Sequence, residues 1–75
     1  MRRQPAAMTM QITLNGNPKM LGNATTVAQL LAELDLAGKR VAVEVNCEIV
    51  PRSEHDRFTL NEKDRVEVVQ AIGGG

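Results

Sequence analysis

An α+β fold, in which a single amphipathic helix covers one face of a small mixed sheet, is predicted by three features of this chain. Apolar and polar side chains alternate with a period of two over 10–14, Val41, Val43 and Val45 share one face of 41–46, and 65–72 contains a short apolar run that reads as a strand. The stretch 26–34 instead spaces its apolar residues as a helix does. Turn residues separate the segments, Asn15-Gly16 most clearly. The 75 residues allow one domain, and at this size folding buries only roughly 60 % of the surface the open chain exposes. One cysteine and one histidine permit neither an internal disulfide nor a Cys/His metal cluster. Stability therefore has to come from packing.

Taken in order, Met10, Ile12 and Leu14 fall on one face of a first strand, and Asn15-Gly16 turns the chain back on itself. Pro18 has no N–H to give to a ladder, so the return run Lys19-Met20-Leu21 belongs at a sheet edge. Thr26 and Gln29 have the spacing of a capping box, and Val27, Leu30, Leu31 and Leu34 form the apolar stripe of the helix it starts. Gly38 is the expected stop. Val41, Val43 and Val45 face the helix from the next strand. A turn at Asn46-Cys47 leads into Glu48-Ile49-Val50, which Pro51 ends. Residues 52–57 are polar and read as irregular or as one helical turn, Phe58-Thr59-Leu60 returns to the core, and a turn at 61–64 precedes the last strand, 65–72.

One helix stripe needs one sheet face to cover it. A right-handed crossover from the first hairpin through the helix then lets the last strand lie parallel to the first. That arrangement, ββαββ with the last strand central, is the ubiquitin-like β-grasp. The domain is placed at 10–72, with a flexible glycine tail at 73–75. Met8 and Met10 stand at the beginning of the first strand-like run, so 1–9 is read as a disordered extension from an upstream start.

Nine basic residues balance nine acidic ones, and Phe58 is the only aromatic, which argues against nucleic acid as a partner. Arg2 and Arg3 are followed by no apolar run, and no stretch approaches membrane-spanning length, so a cytoplasmic protein is expected. No catalytic constellation is visible, and the chain is not read as an enzyme. His55, beside Glu54 and Asp56, is expected to be a solvated surface residue, and Cys47 an exposed or half-exposed thiol in a turn. Arg40, Arg52, Arg57 and Arg65 are read as dispersed surface charge rather than a docking patch. Met8, Met10 and Met20 are read as strand packing and a frayed start rather than a binding surface.

The tail is harder to explain by packing, since Gly73, Gly74 and Gly75 are three of the six glycines in the sequence. A terminal carboxylate is ionised at neutral pH and is a poor electrophile, so chemistry on it requires activation, as when ATP converts it to an acyl-adenylate. Residues without Cβ atoms pass through a narrow channel into a partner's nucleotide pocket. Three of them reach roughly 10 Å when extended. Ordering them costs on the order of 1–2 kcal/mol per residue. Apolar contacts by Val69, Ala71 and Ile72 are the candidates to offset that cost. On the glycines alone, a chemical handle and a frayed end weigh about evenly.

Further residues add to this. Val41-Ala-Val-Glu-Val-Asn46, Glu48-Ile-Val-Pro-Arg-Ser53, Asp64-Arg-Val-Glu-Val-Val69 and Ala71-Ile-Gly-Gly-Gly75 together resemble the thiamin-biosynthesis sulfur-carrier proteins (ThiS), a likeness that covers 10–75. The resemblance implies a ubiquitin-like β-grasp, monomeric when free, that binds no cofactor of its own. It further implies that an E1-like adenylyltransferase uses ATP to activate the Gly75 carboxylate, that a cysteine desulfurase or other donor supplies sulfur, and that the resulting thiocarboxylate passes its sulfur to thiazole synthase. Gly74 and Gly75 match the family's diglycine. Cys47 departs from the glycine common at that turn, so a positive φ there carries a steric cost. Three other readings stay open. They are the small sulfur-carrier subunit of molybdopterin synthase, a ubiquitin-like modifier joined through Gly75 to lysine, and a module that adds a strand to a partner's sheet.

Overall fold

The computed structural model describes residues 9–70, so residues 1–8 of the expected 1–9 extension and everything from Ala71 to Gly75 lie outside the described residues. The elements in chain order are β1 (Thr9–Leu14), β2 (Asn17–Gly22), α1 (Val27–Glu33), β3 (Val41–Val45), β4 (Glu48–Ile49), a 3-10 turn (Arg52–Glu54) and β5 (Arg65–Gln70). They form a five-stranded sheet in the order β2-β1-β5-β3-β4. β1 and β5 are parallel and the other neighbours antiparallel. The expected ββαββ frame is present, and the short Glu48–Ile49 segment adds a fifth strand at the edge. Thr9, grouped with the extension from sequence, belongs to β1 and lies opposite Gly22.

β1, β3 and β5 follow a two-residue pattern. Met10 and Ile12, Val43 and Val45, and Val66 and Val68 point inward and are buried. Val45 sits opposite Val66 and Val43 opposite Val68, so the inward valines of β3 and β5 form adjacent rows beneath the helix. The helix closes that layer with Val27, Leu30 and Leu31. Pro18 lies on β2, at the sheet edge where its missing N–H breaks no ladder.

The capping box forms as the spacing predicts. Gln29 N–H donates to Thr26 Oγ1 at 3.1 Å, and Thr26 N–H donates to Gln29 Oε1 at 2.9 Å. The helix end differs from expectation, because α1 stops at Glu33, well before Gly38. Asp35, with φ 62°, takes the left-handed position instead. Asp35 N–H donates to Ala32 C=O at 3.1 Å and Leu36 N–H to Leu31 C=O at 2.8 Å, the bond pair of a Schellman motif. Leu36 packs against the core as that motif closes. Aspartate is one of the few side chains that enter the left-handed region routinely. Gly38, φ 80°, serves the following turn.

Candidate functional site

The tail leaves from β5, so the site begins with what holds that strand. β3 pairs with it from Val45 opposite Val66 to Val41 opposite Gln70. β1 accompanies only its first part, with Thr13 opposite Arg65 and Leu14 opposite Val66. Thr13 N–H donates to Asp64 C=O and Asn15 N–H to Val66 C=O, both at 2.9 Å, bonds that step along β5 two residues at a time.

The next step falls at Val68, where β1 has already turned away, and a side chain takes it. Val68 N–H donates to Asn15 Oδ1 at 2.9 Å, and Asn15 Nδ2 donates to Val68 C=O at 3.2 Å. The carboxamide of Asn15 thus offers the acceptor and donor that a further β1 residue would have offered. A second asparagine, Asn46, also holds the strand, at the other end of β5, with its side chain accepting from the backbone there. Arg65 N–H donates to Asn46 Oδ1 at 2.9 Å, Asn46 N–H donates to Arg65 C=O at 2.7 Å, and Asn46 Nδ2 bonds Asp64 Oδ1 at 3.0 Å. Both asparagines occupy left-handed turn positions, with φ 49° at Asn15 and 52° at Asn46. Sequence reasoning read them as turn formers and missed their hold on β5. The available signal was asparagine, rather than glycine, in the first turn position of both hairpins.

Of the site residues expected from sequence, Val69 is described. It is 63 % exposed, opposite Ala42 on the face of the sheet away from the helix. Ala71, Ile72, Gly73, Gly74 and Gly75 lie outside the described residues, as does the end of the strand expected to run to 72. Cys47 is exposed at φ 73°, the positive angle its turn implies.

His55 corrects an expectation. It is buried, not solvated, and its Nε2 lies 3.1 Å from the Val50 carbonyl, to which it donates because a carbonyl only accepts. Its own carbonyl accepts from Ala28 N–H at 2.9 Å, tying the segment after the 3-10 turn to the start of α1. The arginines are not gathered into a patch. Arg40 precedes β3 beside the Gln70 end of β5, Arg65 opens β5 at its opposite end, and Arg57 pairs with Glu54 at 3.5 Å. Met10 is buried while Met20 is exposed, which separates them as a binding surface.

A hollow of about 310 Å³ between α1 and the 3-10 turn is lined by Arg52, His55 and Asp56 with small and apolar neighbours, and no serine or cysteine nucleophile reaches it. Among the described residues no three His, Cys, Asp or Glu side chains group as metal ligands. None of the described helices is long and apolar enough to cross a membrane.

Comparison with known proteins agrees with this architecture. The model of the ThiS family matches residues 12–75. A thiazole synthase of Paramagnetospirillum magneticum is 41% identical over 66 residues, which are 88% of this chain but 20% of that protein. This chain therefore spans about a fifth of the length of the thiazole synthases it matches. The sulfur carrier protein ThiS of Bacillus subtilis is 35% identical over 65 residues, 85% of this chain and 98% of that one. The crystal structure of a thiamine biosynthesis protein (ThiS) from Geobacter metallireducens superposes with a TM-score of 0.75 at 35% identity, covering 88% of this chain and all of that one. Sheet order, helix placement and a family match across most of the sequence lead to one conclusion: the chain belongs to the ThiS family.

Proposed function

We propose that this protein is a sulfur carrier in the making of the thiazole of thiamin, and that the Gly75 carboxylate is its reacting group. The observation that carries the reading is the ThiS family match, which runs through the glycine end at residue 75. The central position of β5 supports it, because the strand that precedes the tail lies between β1 and β3 at its start and stays paired with β3 as far as Gln70.

In the proposed sequence, a carboxylate oxygen of Gly75 attacks the α-phosphorus of ATP held by an E1-like adenylyltransferase, and pyrophosphate leaves. A sulfur nucleophile then displaces AMP: hydrosulfide gives the thiocarboxylate directly, whereas a persulfide passed on from a cysteine desulfurase gives an acyl disulfide, which a second thiol cleaves to release the thiocarboxylate while the donor is left as a disulfide. This chain supplies the acyl group and its presentation, and the partners supply the catalysis. Glycine at 73 and 74 suits threading through a narrow channel, since neither residue has a Cβ to obstruct it. Val69, exposed on the outer sheet face, and Ala71 and Ile72 are the proposed apolar contacts with the partner.

Thiazole synthase is the proposed acceptor. In two proteins named thiazole synthase, a segment 41% and 44% identical to this chain is part of the synthase chain itself. Fusion of a carrier-like segment to an enzyme raises their local concentration, which fits a donor and acceptor that meet repeatedly.

Intact-mass spectrometry of the protein co-expressed with its activating partner tests the reading. One C-terminal oxygen replaced by sulfur is the expected product. Persistent absence of that species, with the partner shown to be active, overturns the carrier function. Deletion of the gene decides the pathway, since rescue by thiazole or thiamin alone is expected and growth without either refutes the thiamin assignment.

A further inference from the structure

We infer that Asn15 is a positioning residue for the tail, a role that rests on the proposed carrier function. β1 ends at Leu14 because Asn15 and Gly16, at φ 49° and 86°, turn the chain into β2. β5 continues past that point to Gln70. Without a further partner, the β1-facing edge of β5 from Val68 onward would have no bond from that side, just where the strand leads into the tail. The Asn15 carboxamide fills the gap, accepting from Val68 N–H at 2.9 Å and donating to Val68 C=O at 3.2 Å.

This clip places the last β1-side bond two residues before the end of β5 instead of four, and it needs asparagine specifically. Glycine satisfies the turn but has no side chain, aspartate has no N–H to donate, and glutamine is one methylene too long for the same geometry. Holding Val68 on both edges reduces the freedom of the residues that follow it. Less freedom must then be lost when they enter a partner's pocket, and the expected consequence is tighter binding with unchanged chemistry.

A matched control lies in the same strand. Asn46 is another left-handed asparagine, φ 52°, that clips Arg65 at the opposite end of β5, away from the tail. Asn15→Gly and Asn46→Gly each keep a residue that takes positive φ readily and each remove a side-chain clip. The two variants and wild type are compared by amide hydrogen exchange and by adenylation with the E1-like partner, followed as ATP–pyrophosphate exchange.

In Asn15→Gly, the Val68 amide should exchange at least about tenfold faster, because its acceptor is gone. KM for the carrier should rise roughly three- to tenfold with kcat unchanged, the pattern of lost binding rather than lost chemistry. Asn46→Gly should speed exchange at Arg65 and leave KM at the wild-type value. If Val68 exchange is unaltered in Asn15→Gly, or both variants shift KM equally, the positioning role is overturned while the carrier function stands. If the wild-type protein supports no adenylation by an active partner, the carrier function fails and this role fails with it. The Val68 exchange rates then still report whether the clip exists in solution.

Discussion

Left-handed backbone positions carry much of the local detail in this protein, and among the described residues most are occupied by residues other than glycine. Asn15, Ala24, Asp35, Asn46, Cys47 and Lys63 all have positive φ. For asparagine and aspartate the cost is small, but a cysteine there meets the Cβ clash that glycine avoids. Cys47→Gly is expected to raise stability by up to about 1 kcal/mol, the relief of strain being partly cancelled by the greater freedom of glycine in the unfolded chain. Urea unfolding checks this, and a lower midpoint would show that the Cys47 side chain makes a contact worth more than its strain. His55 gives the opposite case, a polar residue whose value is structural. His55→Ala leaves the Val50 carbonyl without its Nε2 partner and opens space beside α1, so a loss of about 1–3 kcal/mol is expected. Its neighbour Asp56 is exposed, and Asp56→Ala should fall within about 0.5 kcal/mol of wild type in the same assay.

Among the elements, α1 depends most on its ends, because seven residues give it only about two turns. Its capping box and its Schellman closure satisfy N–H and C=O groups that so short a helix would otherwise leave free. Thr26→Ala should therefore cost about 1 kcal/mol, measurable as a shift in the thermal or urea midpoint. No change in midpoint would mean that tertiary contacts from Val27, Leu30 and Leu31 hold the first turn unaided. β5 has a different logic. Its buried Val66 and Val68 hold it down on the helix side, and turn asparagines extend its bonding at both ends. Its outward row carries Glu67 directly opposite Glu44, a like-charge pair that weakens the ladder slightly, and then the exposed Val69.

For the molecule as a whole, the proposed function gives the domain and the tail separable tasks, the first a matter of packing and the second of chemistry. Adding one residue after Gly75 is expected to abolish thiocarboxylate formation and leave the melting curve nearly unchanged. Retained sulfur loading on the extended protein would remove Gly75 as the reacting group. Much of this design is legible in the chain itself. Two-residue alternation at 10–14, 41–45 and 65–70 is a local property, set by which faces meet the core, and so are the capping box and the Asn-Gly turn. The glycine run is likewise visible as composition, and with its neighbouring motifs it pointed to the family that the comparisons then showed. Three features needed the assembled fold. His55 looks like a surface residue among charged neighbours, and only the approach of the Val50 carbonyl and α1 buries it. The left-handed residue that follows the helix is Asp35 rather than Gly38 because the Schellman bonds bring Leu36 onto the core, a tertiary gain that outweighs glycine's intrinsic preference. The bonds of Asn15 to Val68 join residues 53 positions apart, a pairing that no local pattern encodes and that exists only once β1 and β5 lie side by side.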